Sequence, residues 1–302
     1  MSIASVVMAN YKKMRNIAFI LTLLFTVHAY SQELYFVEHY HTTGYTAIDS
    51  LTKLSQNKLT RYACNAGENF YVTKDSKIIV PNLYSLTYFD LKQNKIIKTV
   101  SLGIDNSKLT PDREKYLLSF DATPDSTVYY EIASETYRLD KNECKLFKSK
   151  EHETTKVRIP EGLNFINFDI SPDGKKMAFV YTKEKKEYNI ETLFILDLKT
   201  SELTKVDTTY SFTFDINEKF TFWDNNELYY LKNGKLYIYD STKKNIREIR
   251  IPIKYQIDNF VKQSNSFYLI SKNKLWEWNG SVLKLIYEPP KLNYISTLRI
   301  KE

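Results

Sequence analysis

Two histidines spaced two residues apart are the first candidates for chemistry. His39 and His41 lie in a run of strand-forming residues, and side chains two apart on a strand face the same way. Two imidazoles could begin a metal site, but such a site needs three or four converging ligands. A third histidine, His152, lies far along the chain in a polar stretch. We therefore interpret these residues as packed or solvent-facing imidazoles and predict no metal site and no cofactor.

Carboxylates recur beside the predicted turns. Asp169 and Asp215 each lie just before a turn, where they could face a central channel and meet a cation or a basic partner. Aspartates in such places commonly accept hydrogen bonds from backbone amides instead, and we favour that role. Six more residues end an apolar segment and begin a polar turn, which indicates turn chemistry first: Asp49, Asp90, Asp140, Asp197, Asp240 and Asn279.

Aromatic and thiol side chains offer two further kinds of site. Trp276 and Trp278 alternate with Glu277, as in a platform for a sugar or peptide, although strand packing explains most of the aromatics. Cys64 and Cys144 could pair in an oxidising compartment. They fall in different, non-adjacent repeats, and a disulfide demands a short Cα separation, so we expect no bond. No Gly-x-Ser-x-Gly elbow is present, and we assign no catalytic residue.

Hairpins are the elements that would position these residues. Phe168–Val180 is a strand, a Ser-Pro-Asp-Gly turn and a second strand, in which Pro172 presets φ and Gly174 accepts a positive φ. Weaker copies of this opening hairpin are Thr110–Leu118 and Phe214–Phe222. We predict that each copy opens one repeat.

A second pattern follows the first: an apolar strand that ends in Asp or Asn, then a polar turn and another strand. The six markers named above are 39 to 57 residues apart. A period in the forties with about four short strands is typical of a propeller blade, and six blades fit a closed ring. We predict an all-β, six-bladed β-propeller; an irregular pair of β-sandwiches is the alternative. The strands that carry the markers are Leu86–Asp90, Leu193–Asp197 and Leu236–Asp240, with looser copies at Tyr45–Asp49, Thr136–Asp140 and Leu275–Asn279.

The two ends of the chain predict how the ring closes. Only one good strand, Leu34–Tyr40, precedes the first marker strand, so the first blade lacks a strand. Tyr294–Ile300 has no blade of its own. We predict that it completes the first blade and removes an exposed sheet edge.

The Phe168–Phe179 segment resembles the repeat of TolB-type propellers. That repeat has a Ser-Pro-Asp-Gly turn, two polar residues and a small-aromatic pair, here Ala178-Phe179. The resemblance implies a WD40-like ring that binds partner proteins in the periplasm or forms the non-catalytic domain of a peptidase. It implies no particular activity.

The N-terminal segment predicts export. Basic residues precede the apolar run 17–27, and small residues follow it, as in a secretory signal peptide cleaved after Ser31. A membrane anchor is the alternative, but the apolar run is shorter than the roughly 20 residues that span a bilayer. We predict a signal peptide over 1–31, one propeller domain over 32–302, and a periplasmic or secreted location.

Charge and composition restrict the function. Removal of residues 1–31 lowers the net charge from +7 to +4. The excess is scattered among mixed clusters, unlike the concentrated stripe of a nucleic-acid reader. We expect a monomeric, non-enzymatic scaffold that binds a protein or peptide of the cell envelope through one face of the ring. The alternatives are a propeller enzyme at the channel mouth, as a metal-dependent hydrolase or polysaccharide lyase, and a sensor of a small ligand.

Overall fold

The computed structural model describes residues 33–41, 47–62, 64, 69–104, 115–134, 145–150, 153–160, 166–184, 189–211 and 221–301. The predicted signal peptide lies outside these residues, as do Asp140, Cys144, His152 and Asp215. In this part of the chain there is no apolar helix of membrane-spanning length.

The described residues form strands and turns. In chain order the strands are β1 (Leu34–His41), β2 (Ala47–Ser55), β3 (Lys58–Tyr62), β4 (Tyr71–Val72), β5 (Lys77–Asn82), β6 (Ser85–Asp90), β7 (Lys95–Ser101), β8 (Lys115–Ala122), β9 (Val128–Ser134), β10 (Lys145–Lys150), β11 (Glu153–Lys156), β12 (Ile166–Ile170), β13 (Lys176–Glu184), β14 (Asn189–Asp197), β15 (Leu203–Ser211), β16 (Thr221–Asp224), β17 (Glu227–Lys232), β18 (Lys235–Asp240), β19 (Asn245–Ile249), β20 (Asn259–Gln263), β21 (Ser266–Ser271), β22 (Lys274–Trp278), β23 (Leu283–Tyr287) and β24 (Tyr294–Ile300).

These strands form six antiparallel sheets of four strands each. The first blade has the order β24-β1-β2-β3, and blades two to six each contain four consecutive strands, beginning with β4, β8, β12, β16 and β20. From the third to the sixth blade the first strands of neighbouring blades contact each other, β24 contacts both β20 and β4, and β8 contacts β5 of the second blade. These strands therefore surround the ring axis, and the predicted six-bladed propeller is confirmed.

Six hydrophobic clusters fill the spaces between neighbouring blades. β1 shows how one strand serves two of them, because alternate side chains point to opposite faces. Leu34 and Phe36 pack with the sixth blade, whereas Tyr35 and Val37 pack with the second. Burial of both faces explains why the inner strands are nearly continuous apolar runs in the sequence.

The C-terminal strand closes the ring, as the sequence predicts. β24 pairs antiparallel with β1 from Leu34↔Ile300 to His39↔Tyr294, with a shift of register at Thr297. Leu298 is fully buried between the first and sixth blades. The first and last described strands are thus joined, and the inner edge of β1 is paired.

The strand order gives the ring two different faces. Turns between the first and second strands and between the third and fourth strands lie at one end, which we call the hairpin face. Turns between the second and third strands, together with the connections between blades, lie at the other end, which we call the connector face.

Four of the six predicted marker residues act as turn residues. Their side-chain oxygens accept two backbone amides each, as Asp197 does from Lys199 and Thr200. These backbone hydrogen bonds, above all the one from the Thr200 amide, hold the pKa of the Asp197 carboxyl below its ordinary value. The other three are Asp90, Asp240 and Asn279.

One marker prediction is wrong. Asp49 lies near the start of β2, which continues to Ser55, so the turn is at Gln56-Asn57. The prediction failed because it matched an aspartate at the expected spacing without establishing that this residue ends a strand. The predicted marker strand Thr136–Asp140 lies outside the described residues.

The weaker copies of the opening hairpin are also misplaced by one strand. Residues 115–118 and 221–222, predicted to follow the turn, belong to the innermost strands β8 and β16. The true copies of the Ser171–Gly174 turn are Thr73–Ser76 and Thr123–Ser126. In all three, the first hydroxyl bonds the carboxylate two residues on, at 2.5 to 2.7 Å, and the fourth residue has a φ of 65° to 67°.

Candidate functional site

The predicted channel carboxylates have a structural setting. Asp169 is buried on β12. Asp121 is its equivalent in the third blade, and Asp121 Oδ2 accepts a hydrogen bond of 2.7 Å from the backbone amide of Ile170 in the fourth. The Asp121 carboxylate therefore joins two blades by accepting from a backbone amide, which is the role predicted for Asp169. Asp215 lies outside the described residues.

The two tryptophans and Cys64 belong to the packing. Trp276 and Trp278 lie against the cluster between the fifth and sixth blades, and Trp276 Nε1 donates to the Ser271 carbonyl at 3.4 Å. Cys64 is free and buried, and burial raises the pKa of its thiol to about 11. No group of three His, Cys, Asp or Glu side chains converges within the described ranges.

A buried carboxylate stabilises the junction between the first and sixth blades. Glu38 on β1 has no exposed surface. Its carboxylate accepts hydrogen bonds from Tyr40, Arg61, Tyr287 and Asn293 at 2.9 to 3.3 Å. Burial alone would raise the pKa of Glu38, but these donors outweigh it and hold the pKa below its ordinary value. The network joins β1 to β3 and to residues of the sixth blade and its connection.

The opposite face of the same sheet carries a chain of three polar side chains. His39 Nδ1 lies 2.7 Å from Asp49 Oδ1, and His39 Nε2 lies 2.7 Å from Ser296 Oγ. The Tyr294 ring stacks on the imidazole with centroids 4.1 Å apart. The register of β24, β1 and β2 positions all four side chains on one face. His41 is also on β1, but its side chain is not among those described.

The connector face also carries exposed aromatic and aliphatic side chains. Tyr255 lies in the connection between the fifth and sixth blades and is 45% exposed. Gly234, at a φ of 68°, allows this connection to approach, since a Cβ there would lie 2.6 Å from the Gln256 side chain. The Gly234 carbonyl accepts from the Ile257 amide at 3.0 Å, and Ser271 Oγ donates to the Gln256 carbonyl at 2.6 Å. The connection is thus fixed directly after Tyr255, at Gln256 and Ile257, by residues of both the fifth and the sixth blades.

The next connection continues this surface toward the first blade. Asn273 Nδ2 donates to the Asn293 carbonyl at 2.8 Å, and Asn273 Oδ1 accepts from the Ile295 amide at 2.8 Å. These bonds position Leu292, which is 73% exposed, and Tyr294, which is 38% exposed. The connection between the sixth and first blades is therefore ordered and presents apolar side chains to solvent.

Lysines surround these exposed side chains. Lys272 Nζ lies 4.2 Å from the centre of the Tyr255 ring, and Lys254 Nζ lies 5.7 Å from it. Lys291 is exposed beside Leu292. None of the three lysines forms an ion pair with another described residue. We call this area the 254–294 surface: Lys254, Tyr255, Lys272, Lys291, Leu292 and Tyr294.

Comparisons with known proteins give the fold. No family model matches the sequence, and no curated protein matches it. Among solved structures, a chain of a nidogen/laminin complex has a TM-score of 0.57 at 8% identity, covering 90% of this chain and 98% of that one. An oligogalacturonate lyase in complex with manganese has a TM-score of 0.51 at 15% identity, covering 78% and 70%. TolB from Acinetobacter baumannii has a TM-score of 0.51 at 12% identity, covering 88% and 66%.

The predicted similarity to TolB-type propellers is therefore structural. Identities this low support a shared architecture and carry no activity over to this chain. The comparisons include a chain from a protein complex and a lyase, so the fold alone does not select between binding and catalysis.

The sequence predicted no binding role for any residue of the 254–294 surface, and Tyr294 was identified only as the start of the closing strand. Tyr255 and Leu292 lie in polar connections without a repeated motif, and only the ring brings them to one face. The partners of His39 were missed for a similar reason, since Ser296 is 257 residues away in the chain. The predicted pairing of β24 with the first blade was the sequence signal that could have placed Ser296 near His39.

Proposed function

We propose that this protein is an exported propeller that binds an acidic polypeptide segment of a cell-envelope partner through its connector face. The observation that carries the proposal is the distribution of exposed large hydrophobic side chains between the two faces. Among the described residues of turns, connections and the strand ends next to them, the connector face has Leu83, Tyr84, Tyr255, Leu292 and Tyr294, whereas the hairpin face has Leu203 and Val282.

The chemistry of the 254–294 surface selects the class of partner. Aromatic rings with an aliphatic neighbour supply contact area at low conformational cost. Lys254 and Lys272 add positive charge beside Tyr255, and a carboxylate is the complementary group. A segment with alternating acidic and apolar residues therefore fits this surface best.

The contacts that support the surface make it a rigid site. The bonds of Asn273 and the close approach at Gly234 fix both connections before a partner arrives. A site that is ordered in the free protein loses less entropy on binding. Leu83 and Tyr84, on the same face of the second blade, extend the contact area for a longer segment.

Binding of a defined probe tests the proposal. We expect a labelled peptide of alternating Glu and Leu to bind with an affinity that falls as salt rises, since exposed charges are screened beyond about 8 Å at physiological ionic strength. Fluorescence anisotropy measures this affinity. A Lys254→Glu/Lys272→Glu variant is expected to bind about tenfold more weakly, the loss of two modest ion pairs.

A matched double variant on the hairpin face distinguishes an effect at the binding site from an effect of the protein's net charge. Lys92 and Lys199 are exposed in turns of the hairpin face, so Lys92→Glu/Lys199→Glu changes the total charge equally. We expect this variant to keep wild-type affinity. Equal weakening by both variants, or tight binding of a Lys-Leu peptide, would overturn the proposal.

A further inference from the structure

We infer that Ser296, His39 and Asp49 form a serine hydrolase site for a carboxylic ester, an activity beyond partner binding. Ser296 is the nucleophile, His39 is the general base and Asp49 is a positioning residue. This inference departs from the expectation of a scaffold without catalysis. It rests on which atoms meet, on the burial of the imidazole and on the backbone at Ser296.

The atoms meet in the order that serine activation requires. Ser296 Oγ faces His39 Nε2, and Asp49 Oδ1 faces His39 Nδ1, each at 2.7 Å. A carboxylate at Nδ1 holds that nitrogen as the proton-bearing one, which leaves Nε2 able to accept the serine proton. The side chains come from three neighbouring strands of one sheet, so the constellation lies on rigid elements.

His39 and Ser296 differ in burial in the way that a catalytic role requires. His39 is 2% exposed, and its ring is covered by Tyr294. Ser296 is partly exposed. The base is therefore shielded from water, whereas the residue that carries the nucleophile reaches the surface.

The backbone next to Ser296 is an independent observation. Thr297 has a φ of 46° and lies where the register between β24 and β1 shifts. Positive φ in a β-branched residue is strained, and such strain is concentrated at functional sites.

The reaction follows from these positions. Ser296 Oγ attacks the ester carbonyl carbon as His39 Nε2 takes the hydroxyl proton, forming the new C–O bond. The bond to the alcohol then breaks, and His39 returns the proton to the departing oxygen. Water, activated by His39 in the same way, attacks the acyl-serine and releases the carboxylic acid with free Ser296.

A fluorophosphonate probe and p-nitrophenyl acetate test the inference on the full chain. We expect the probe to label Ser296 of the wild-type protein, as located by mass spectrometry of the digested chain. His39→Gln is expected to slow labelling about 100-fold, the usual contribution of a general base. Asp49→Asn is expected to lower kcat by about 100-fold or more with KM unchanged, a split that a merely structural role would not produce.

A second serine supplies the control. The Ser266 hydroxyl bonds the Glu277 carboxylate at 3.3 Å, and no imidazole of the described residues is hydrogen-bonded to it. We expect Ser266→Ala to keep both labelling and ester hydrolysis. Absence of label on Ser296 in folded wild-type protein, or equal labelling of Ser266, would overturn the inference, and neither result depends on a variant that fails to fold.

Discussion

Glu38 shows how one buried charge supports the closure of the ring. Its four donors satisfy the carboxylate without an exposed oxygen. Removing the negative charge leaves buried donors with a poorer acceptor, so we expect Glu38→Gln to lower the free energy of unfolding by about 2 kcal/mol at neutral pH. Urea unfolding followed by circular dichroism measures this difference.

The same substitution has a defined pH dependence. Because the folded pKa of Glu38 lies below the unfolded value of about 4.3, its contribution is present above that pH and is lost as pH falls through the folded pKa. We expect the gap between wild type and Glu38→Gln to be smaller at pH 3 than at pH 7. Glu248→Gln, at a more exposed glutamate, is expected to change stability little at either pH. Equal gaps for Glu38→Gln at both pH values would contradict this account.

Two glycines with nearly the same φ allow the energetic cost of backbone strain to be measured separately from the cost of steric crowding. Gly174 and Gly103 have φ values of 67° and 66°, but only at Gly174 would a Cβ meet a neighbour, the Tyr129 hydroxyl at 3.1 Å. Left-handed backbone costs a non-glycine residue roughly 1–2 kcal/mol. We expect Gly103→Ala to show this cost alone and Gly174→Ala to show more, as measured by thermal unfolding. An equal loss of stability in the two variants would mean that Tyr129 moves aside freely and would contradict this expectation.

At the scale of elements, β24 is the strand on which ring closure depends. Leu298 is fully buried between the first and sixth blades. We expect Leu298→Ala to cost about 3 kcal/mol, as for other large-to-small changes in a core. Ile96→Ala, on the exposed outer strand β7, should change stability by less than about 0.5 kcal/mol. Similar losses in the two variants, measured by chemical unfolding, would contradict the assigned closure.

The sequence predicted the elements where turn residues were distinctive. The Ser171–Gly174 turn was found because Pro and Gly mark it, and the closing strand was found because the first repeat was one strand short. The turns Thr73–Ser76 and Thr123–Ser126 were missed because serine adopts the positive φ there. Asp49 was misplaced because β2 continues past it. Residue type thus identified turns better than it identified strands.

At the scale of the whole molecule, function depends on what the ring brings together. Tyr255, Lys272 and Tyr294 come from separate turns and connections, and no local pattern marks them as one surface. His39 meets Ser296 only because the chain ends are joined in one sheet. A motif search therefore could predict the architecture, but the sites required the closed structure.

The most direct test of partner binding is zero-length carbodiimide cross-linking of the Glu-Leu peptide to the folded protein, read by mass spectrometry. This reagent joins a lysine only to a carboxylate in direct contact, so the modified lysines report where the peptide lies. We predict cross-links at Lys254, Lys272 and Lys291 that disappear at high salt. Cross-links spread over exposed lysines of the hairpin face and the outer strands would contradict the assignment of the connector face.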